Sequence, residues 1–384
     1  MYKRMNIGRA TGEKRNLFIE KQPQIMKNWI IDLKPNWPLL ESLPWVADMR
    51  ACMQDPIWHA EGDVLTHTKM VLQELVQLPE FHDLNIFDQS LLVWSALLHD
   101  VAKPHTTKLE EGRIVSPRHA AIGEKVSREL LWDMPFEQRE QICALVRLHG
   151  LPLWSLDKDN PNRSVISASL RVRNDLIYIL AKADVLGRIS AGQTEYLERL
   201  EYFKELCIEN ECFSAPKQFF NAHSQFRFFQ TDAAYPAQIF DDTAFEITIM
   251  SGLPGSGKDT YAANKNLPVI SLDALRKTLK IKHDDRDGQG RVAQEAYQMA
   301  KAYAGKKQSF IWNSTNLTKM MRDRVVHTLA VYNPRFRIVY VESSLEKMME
   351  RRGASIPHAR LRDMLQKLDL PLAEEVHSIE YRRS

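Results

Sequence analysis

The part of the sequence with the clearest chemical character is a glycine-rich loop that ends in a lysine. Gly252, Gly257 and Lys258 have the spacing G-x4-G-K. Glycines allow backbone N–H groups to turn inward around phosphates, and the lysine reaches the terminal phosphates of a nucleotide. A strand candidate precedes the loop and a helix candidate follows it, so the sequence predicts a nucleoside triphosphate site. Its predicted contacts are Gly252, Pro254, Gly255, Ser256, Gly257, Lys258, Asp259 and Thr260.

The residue after the lysine departs from the usual pattern of such loops. Ser or Thr normally stands there as a magnesium ligand, whereas this chain has Asp259, with a hydroxyl one place later at Thr260. We expect ATP or another NTP to bind with Mg²⁺, and the sequence leaves the direct ligand of the ion open.

A carboxylate and a guanidinium follow the next strand candidate. Asp273 stands where the strand Val269 to Leu272 ends, and Arg276 shares its helical face. Asp273 could take the proton of an acceptor hydroxyl while Arg276 holds a nearby phosphate. The alternative is that Asp273 only caps a helix that begins at Ala274.

Two adjacent arginines lie between the last strand candidate and a C-terminal helix. Arg351 and Arg352 are followed by Gly353, and then by Ile356 and Pro357, where a mobile lid would fit. Arginines in a lid neutralise charge on a transferring phosphoryl group. The alternative is an ordinary solvated basic face.

A second set of residues, far earlier in the chain, has the character of a metal site. His99 and Asp100 end an apolar helix candidate, whereas His82-Asp83 follows a proline in a turn. Upstream lies His67, and downstream Asp184 interrupts an otherwise apolar helix. A buried carboxylate needs a partner, and a divalent ion such as Mn, Fe, Co, Ni or Zn would supply one.

Two further histidines could complete a second metal site, with Asp100 bridging the two ions. These are His119 and His149. Each has an alternative interpretation, since His119 could be a surface residue near a helix start, and His149 precedes Gly150 at a helix C-terminus, where histidine is favourable.

The elements that position these residues predict two domains. From Trp45 to Cys212 the apolar residues recur at helical spacing, whereas after Ala244 strand and helix candidates alternate, which is typical of a parallel α/β sheet. The expected architecture is an all-α module followed by an α/β module. The expected ranges are an N-terminal extension 1–44, a helical domain 45–212, an aromatic-rich packed connector 213–244 and an α/β domain 245–384.

Composition and charge indicate the compartment of the protein, the state of its cysteines and the charge of its substrate. No apolar run reaches the ~18 residues of a membrane span, and the first 21 residues lack the apolar core of a signal peptide, so we expect a cytoplasmic protein with no membrane contact. Its four cysteines lack CxxC spacing and are expected to be reduced. Residues 245–384 carry a net charge of +8 and the rest −5, which suits a polyanionic substrate for the C-terminal half, although a basic solvated surface remains an alternative.

The helical half resembles the HD-domain phosphohydrolases, including the HD modules attached to tRNA nucleotidyltransferases. The resemblance rests on the order of the metal-ligand candidates and on the stretch that leads from Trp58 to His67, and it covers about residues 45–212. It implies that these positions bind one or two catalytic metals that activate water against a phosphoester. It also implies that Lys103 lies near the phosphate.

The C-terminal half resembles the P-loop polynucleotide 5′-kinases. The resemblance implies that Asp273 is the general base on a 5′-hydroxyl, that Arg276 contacts the acceptor's 3′ phosphate, and that the lid arginines contact the donor phosphates. The matching pieces are the loop Gly252 to Thr260, Leu272 to Arg276, Trp312 to Asn316 and the pair Arg351-Arg352.

Both domains in this order resemble the bacterial fusion of an HD phosphohydrolase to a polynucleotide kinase, an RNA end-healing enzyme. The expected substrates are RNA or DNA ends that carry a 5′-hydroxyl or a 2′,3′-phosphate, and a separate RNA ligase is the natural next enzyme. Two alternatives stay open: a small-molecule (nucleoside or sugar) kinase joined to an HD nucleotidase, and a non-catalytic nucleotide sensor.

Overall fold

The computed structural model describes residues 28–282, 284–352 and 357–383, and of Arg352 it describes the backbone only. Residues 1–27 of the expected N-terminal extension therefore lie outside the described residues. So do Gly353 and Ile356 of the expected lid.

The first half of the chain is helical, as predicted. Its helices are α1 (Trp37–Leu40), α2 (Pro44–Ala51), α3 (Val64–Leu75), α4 (Pro79–His82), α5 (Ile86–Leu98), α6 (Lys103–Thr106), α7 (His119–Leu130), α8 (Phe136–Leu148), α9 (Leu151–Trp154), α10 (Pro161–Ser169), α11 (Asn174–Leu186) and α12 (Gln193–Glu209). Two short antiparallel hairpins, which the helical pattern did not predict, pair β1 (Ile30–Ile31) with β2 (Lys34–Pro35), and β3 (Lys108–Glu110) with β4 (Arg113–Val115). Among the helices of the described residues, none combines the length and the apolar composition needed to cross a bilayer.

Side-chain caps fix where the two helices that matter most for the site begin. Asp63 accepts a hydrogen bond from the Thr66 backbone N–H at 2.9 Å at the start of α3. Asn85 does the same for the Asp88 backbone N–H at 3.0 Å at the start of α5. Such caps satisfy N–H groups that have no partner inside a helix. They set the register in which α3 presents His67 and α5 ends at His99.

One apolar core holds these helices together. Helices α5 and α11 are buried over most of their length, and both pack against α3. Trp29 is fully buried in the same core, with its ring 5.4 Å from that of Trp45. The core therefore fixes the three helices that carry or precede His67, His99 and Asp184.

The aromatic-rich segment after α12 packs against both halves of the chain. It contains helix α13 (Ala222–Phe229). Phe228 and Phe229 join the core of the helical half, whereas Phe226 packs against the core of the C-terminal half, with its ring 4.2 Å from that of His377.

The C-terminal half is the predicted α/β module. Five parallel strands lie in the order β6-β7-β5-β8-β9. They are β5 (Glu246–Ser251), β6 (Val269–Ser271), β7 (Phe310–Asn313), β8 (Arg335–Glu342) and β9 (Ser378–Arg383). The helices of this module are α14 (Lys258–Ala263), α15 (Leu272–Thr278), α16 (Arg286–Gly305), α17 (Lys319–Leu329), α18 (Leu345–Arg352) and α19 (His358–Lys367).

The strand candidates before the loop, at Val269 to Leu272 and before the arginine pair are present as β5, β6 and β8, whereas the strand β9 after that pair was missed. The reason is its composition, because Ser378–Arg383 contains three charged residues and pairs only at the edge of the sheet. An edge strand has one partner and an open side, so it does not need the continuous apolar run of a buried parallel strand.

Candidate active sites in the two halves of the chain

Three histidines of the helical half are held in the same tautomer, and a fourth, His67, lies between two carboxylates. His99, His119 and His149 each donate Nδ1–H to the carbonyl three residues earlier, at 2.8 Å in every case. His67 Nδ1 lies 2.9 Å from Glu61 Oε1. Carbonyl oxygens only accept, so Nδ1 carries the proton in the first three rings, and each of these presents Nε2 as its ligand atom, whereas both nitrogens of His67 face carboxylate oxygens.

The first group that could hold a metal consists of His67, His99 and Asp184. One ligand atom from each lies within 4.8 Å of the others, and all three residues are buried. His67 stands on α3, His99 follows the last residue of α5, and Asp184 lies on α11. The three predicted ligands are thus brought together by the packing of three helices.

Asp184 has a partner that the sequence argument did not consider. Both of its oxygens lie 3.0 Å from Arg188 Nη2, one helical turn further along, and Oδ1 lies 2.9 Å from His67 Nε2. A buried carboxylate therefore does not by itself require a metal here. The stronger argument comes from the imidazoles.

The second group consists of Asp100, His119 and His149, as predicted. His119 Nε2 lies 3.4 Å from His149 Nε2 and 3.6 Å from Asp100 Oδ1. Asp100 Oδ2 lies 3.2 Å from His99 Nε2, in the first group. The two oxygens of Asp100 thus face one group each, which is the arrangement of a bridging carboxylate.

The ionisation of the second group suits metal binding. Burial lowers the pKa of His149 to about 3, so its Nε2 keeps a lone pair at neutral pH. Burial alone would raise the pKa of Asp100, but the neighbouring Lys103 and His99 hold it well below its usual range. The site therefore offers a neutral imidazole and an ionised carboxylate, the forms that bind divalent metals.

Whether a cation fits these residues can be judged from the atoms left without partners. His99 Nε2 and Asp100 Oδ1 are buried and have no hydrogen-bond partner among the described residues. The Nε2 atoms of His119 and His149 face each other as two acceptors. Unpaired buried acceptors are costly, and a cation would satisfy them. Imidazole and carboxylate donors suit Mn, Fe, Co, Ni or Zn.

Lys103 lies at the same site and is buried. Its Nζ is 2.8 Å from Asp100 Oδ2 and 2.5 Å from Gln54 Oε1. The ammonium group of Lys103 therefore lies against the carboxylate of Asp100, within the second group.

Two residues beside the site were missed from the sequence. His59 Nδ1 lies 2.7 Å from Glu61 Oε1, the same oxygen that orients His67. The sequence signal that could have found them is the string His59-x-Glu61 just before α3. Glu61 there is close enough in sequence to contact both His59 and His67. A carboxylate behind a ligating imidazole fixes its orientation and raises its basicity.

The second group, together with Asp184 of the first, lines a cavity of about 1190 Å³. Residues of both halves line it, among them Lys319 and Asp369 of the C-terminal half. Its lining contains more basic than acidic side chains, and Trp154, which is 48% exposed, also lies on its wall.

The glycine-rich loop of the C-terminal half has the backbone conformation that its sequence predicts. Gly252, Gly255 and Gly257 have φ values of 139°, 82° and 105°. A Cβ at Gly252 would lie 2.3 Å from the carbonyl oxygen of Val341, so only glycine fits between β5 and β8 there. Lys258 Nζ donates to the carbonyl oxygens of the loop at Gly252 and Leu253, both at 2.8 Å.

Asp259 is held by the neighbouring strand. Asn313, the last residue of β7, donates from Nδ2 to Asp259 Oδ1 at 2.7 Å. This contact was not expected from the sequence. It fixes the carboxylate beside the loop, at the edge where β5 and β7 both end, because the carboxyl ends of parallel strands lie on one side of a sheet.

Asp273 and Arg276 form an ion pair on α15. Helix α15 begins at Leu272, and its cap is Ser271, whose hydroxyl accepts from the Ala274 backbone N–H at 3.2 Å. The alternative role for Asp273 as a cap is therefore wrong. Its side chain is 56% exposed, and Arg276 also donates to Gln289 at 2.7 Å.

Arg351 reaches the glycine-rich loop from α18. Its Nη1 donates to the carbonyl oxygen of Gly255 at 3.2 Å. Together with Gly257, Thr260 and Arg382 it lines a cavity of about 420 Å³ beside the loop. The side chain of Arg352 lies outside the described part of the structure, so of the two predicted lid arginines only Arg351 can be located.

Comparison with known proteins identifies each half. Residues 64–187 match the family described as the HD domain, and residues 247–371 match a family described as an AAA domain. Among solved structures, a protein assigned as a kinase from Chloroflexus aurantiacus J-10-fl is 22% identical, with 37% of this chain and 86% of that chain covered and a TM-score of 0.32. A sugar kinase from Janibacter sp. HTCC2649 is 21% identical, with 36% and 85% covered and a TM-score of 0.28. The chain therefore carries an HD domain followed by a P-loop, kinase-like domain of the AAA type.

Proposed function

We propose that this chain is a bifunctional enzyme that repairs the ends of nucleic acid strands. Its P-loop half transfers the γ-phosphate of an NTP to a 5′-hydroxyl, and its HD half removes a phosphate from the 2′ or 3′ end, including one left by a 2′,3′-cyclic phosphate. The observation that carries this proposal is the cavity of about 1190 Å³, whose lining has more basic than acidic side chains, includes Asp100, His119, His149 and Asp184, and comes from both halves. A cavity of that size and charge suits a polyanion larger than a mononucleotide.

In the HD half, His67, His99 and Asp184 would hold one metal, and Asp100, His119 and His149 a second. A divalent metal supplies, when bound, Lewis acidity that lowers the pKa of water and polarises a phosphoester. Asp100, with one oxygen toward each group, fixes their separation.

The basic side chains of the same site prepare it for the phosphate. Lys103 carries its ammonium group to within 2.8 Å of Asp100, inside a buried pocket. There it offsets the negative charge of the carboxylates and leaves the cavity attractive to a phosphate group. Electrostatic preorganisation of this kind stabilises the charge that develops on the phosphoryl oxygens.

In the P-loop half, two residues are assigned to the donor nucleotide and two to the acceptor. Lys258 neutralises the terminal phosphates of the donor, and Arg351 approaches them from α18. Asp273 accepts the proton of the 5′-hydroxyl and becomes a carboxylic acid as the oxygen attacks the γ-phosphorus, the bond from that phosphorus to the β,γ-bridging oxygen breaks, and the nucleoside diphosphate leaves. Arg276 keeps that carboxylate oriented through their ion pair and contacts the phosphate that follows the acceptor nucleoside.

The experiment that tests this proposal uses the full chain and two substrates. A 5′-hydroxyl oligonucleotide with γ-labelled ATP reports the kinase, and an oligonucleotide with a 3′-phosphate or 2′,3′-cyclic phosphate reports the hydrolase with Mn²⁺ or Zn²⁺ added. We expect Asp273→Asn to lower 5′ phosphorylation by ~10²- to 10⁴-fold, the usual contribution of a general base, and to leave the 3′ reaction unchanged. Asp100→Ala should lower the 3′ reaction and leave 5′ phosphorylation unchanged.

The alternatives predict different outcomes of the same assays. Transfer of the label to nucleosides or sugars but not to oligonucleotides would establish a small-molecule kinase instead. Absence of turnover in both assays, with nucleotide still bound, would establish a nucleotide sensor. Loss of both activities in each single variant would contradict two separate sites.

A further inference from the structure

Next to the second histidine group, one carboxylate is shared by three guanidinium groups. Glu124 Oε1 lies 2.8 Å from Arg128 Nη2 and 2.9 Å from Arg171 Nη2. Its Oε2 lies 3.8 Å from Arg147 Nε. Around this carboxylate the positive charges outnumber the negative ones.

The surplus charge is not neutralised deeper in the protein. Arg128 also contacts Glu140, at 2.8 Å, and Glu140 in turn contacts Arg139, at 2.8 Å. Arg139 ends the series on Glu342 at 2.6 Å, in the C-terminal half. The series thus alternates four arginines with three glutamates.

The arginines of this series differ in how much of their side chains is exposed. Arg128 and Arg139 are buried, with 2% and 0% of their side chains exposed, and both are held by two carboxylates. Arg171 is 14% exposed and Arg147 is 43% exposed. The net positive charge of the series therefore lies at Arg147 and Arg171, on the wall of the large cavity.

This charged end lies on the wall of the cavity that the second histidine group also lines. Arg147 is in the last turn of α8, two residues before His149, and Glu124 lies on α7, which begins at His119. Neither arginine is in the histidine groups themselves, and their contacts run to Glu124, so they line the cavity beside those groups. A phosphate held by Arg147 and Arg171 would be a neighbour of the phosphate that is hydrolysed.

An exposed aromatic ring lies in the same cavity. Trp154, at the end of α9, is 48% exposed, and Arg199 packs over its ring at 5.4 Å. Aromatic rings in basic grooves stack on nucleobases and hold single strands without regard to sequence. Binding a strand end requires both an aromatic ring for a base and a pair of cations for a phosphate. Binding a free phosphate ion requires only the cations.

We propose that Arg147 and Arg171 bind the internal phosphodiester next to the terminal phosphate, with Trp154 stacked on a base, so that the HD site selects polynucleotide 3′ ends over mononucleotides. This inference rests on the proposed hydrolase function and adds its substrate class. The same two arginines could also take a phosphate of a free nucleotide, which the experiment separates.

The first arm measures binding without turnover. The metal-free full chain is titrated with a single-stranded oligonucleotide that carries fluorescein on its 5′ end, to block the kinase acceptor, and a 3′-phosphate. Each lost phosphate contact should reduce the slope of log K against log salt by ~0.7 for a single strand. Arg147→Gln and Arg171→Gln should each show this reduction, and Arg171→Lys should show less of it.

The second arm compares turnover of two substrates by the metal-loaded enzyme. The two variants should lower kcat/KM for the 3′-phosphorylated oligonucleotide by ~10-fold, as expected for a charge-assisted hydrogen bond, and for a nucleoside 2′,3′-cyclic phosphate by less than ~2-fold. Arg50→Gln is the matched control, because Arg50 pairs with Glu41 on the surface of the same half, away from the cavity.

The outcomes separate this inference from the function on which it rests. Unchanged salt slopes and an unchanged ratio between the two substrates would overturn the arginine site while leaving the hydrolase intact. A parallel loss on both substrates would overturn it too and assign the arginines to a free nucleotide. Absence of 3′-end hydrolysis by the unmodified chain would overturn the hydrolase, and the binding arm would still decide whether the arginines hold a strand.

Discussion

The guanidinium group of Arg139, on α8 of the helical half, donates two hydrogen bonds to Glu342, at the end of β8 in the C-terminal half. Arg139 Nη1 lies 3.0 Å from Glu342 Oε1, and Nη2 lies 2.6 Å from Oε2. Both side chains are buried. Strand β8 is also the strand whose Val341 carbonyl packs against Gly252, so the ion pair ties the helical half to the strand beside the glycine-rich loop.

Removing one partner of this pair should destabilise the protein. Arg139→Leu leaves Glu342 buried without its cationic partner and Glu140 with Arg128 alone, and breaking a buried pair in this way costs ~3–5 kcal/mol. We expect a lower urea midpoint, followed by circular dichroism and tryptophan fluorescence. Arg139→Leu combined with Glu342→Leu should recover part of the loss, whereas Arg50→Leu, at an exposed pair, should change little. An unchanged midpoint for Arg139→Leu would show that the contact between the halves contributes no stability.

The two histidine groups should lose metal separately. His67→Gln should remove one equivalent of bound metal and His119→Gln the other, while Asp100→Asn should weaken both, because its two oxygens face both groups. Elemental analysis after dialysis measures the bound metal. His82→Gln is the control, since His82 belongs to the other described His-Asp pair, is exposed and bonds only to the Val76 carbonyl. If His119→Gln binds as much metal as the unmodified chain, the two histidine groups bind one ion and not two.

Asp259 should act on the magnesium ion of the donor nucleotide. Asn313 holds its carboxylate at 2.7 Å beside the loop, and Asp259 stands at the sequence position where such loops usually carry a hydroxyl. Asp259→Ser should keep kinase activity, whereas Asp259→Ala should raise the Mg²⁺ concentration needed for half-maximal rate. The measurement is a magnesium titration of 5′ phosphorylation. If serine and alanine variants behave alike, Asp259 has no part in binding the ion.

The stability of the C-terminal half should fall as pH falls below neutrality. Burial and the neighbouring His223 lower the pKa of His377 from 6.5 to about 4. Because the unfolded chain binds this proton at a higher pH, the folded state loses up to ~1.4 kcal/mol per pH unit between those values. The stabilising effect is thus fully present above pH 6.5 and is lost as the pH falls toward 4.

The hydrogen bonds explain this shift and give its test. The Phe336 backbone N–H donates to His377 Nδ1 at 3.0 Å, so His377 carries its proton on Nε2 and donates it to His223 Nδ1 at 3.0 Å. A second proton on Nδ1 would break the bond to the backbone. His377→Gln should give a flatter dependence of unfolding free energy on pH than the unmodified chain. Parallel curves for the two proteins would contradict the prediction.

Much of the candidate chemistry could be predicted from the sequence because local patterns carry it. The spacing of Gly252, Gly257 and Lys258 determines a strand, a loop and a helix within a few residues of one another, and the backbone adopts the positive φ values that those glycines permit. Helical periodicity likewise predicted α3, α5 and α11. His67, His99 and Asp184 interrupt or end apolar helices, so the sequence predicts that they are buried. It does not predict which residues they contact.

What the sequence by itself determined is therefore the type of each domain, helical and then parallel α/β, and the residues with ligand or phosphate chemistry. The tertiary structure alone decided which of them meet. Asp259 with Asn313 and Arg139 with Glu342 could not be paired from the sequence, and neither could Glu124 with Arg171 and Arg147. The physical reason is that such contacts depend on how whole helices and strands pack, and packing is set by the sum of many apolar contacts and not by the spacing of the residues that meet.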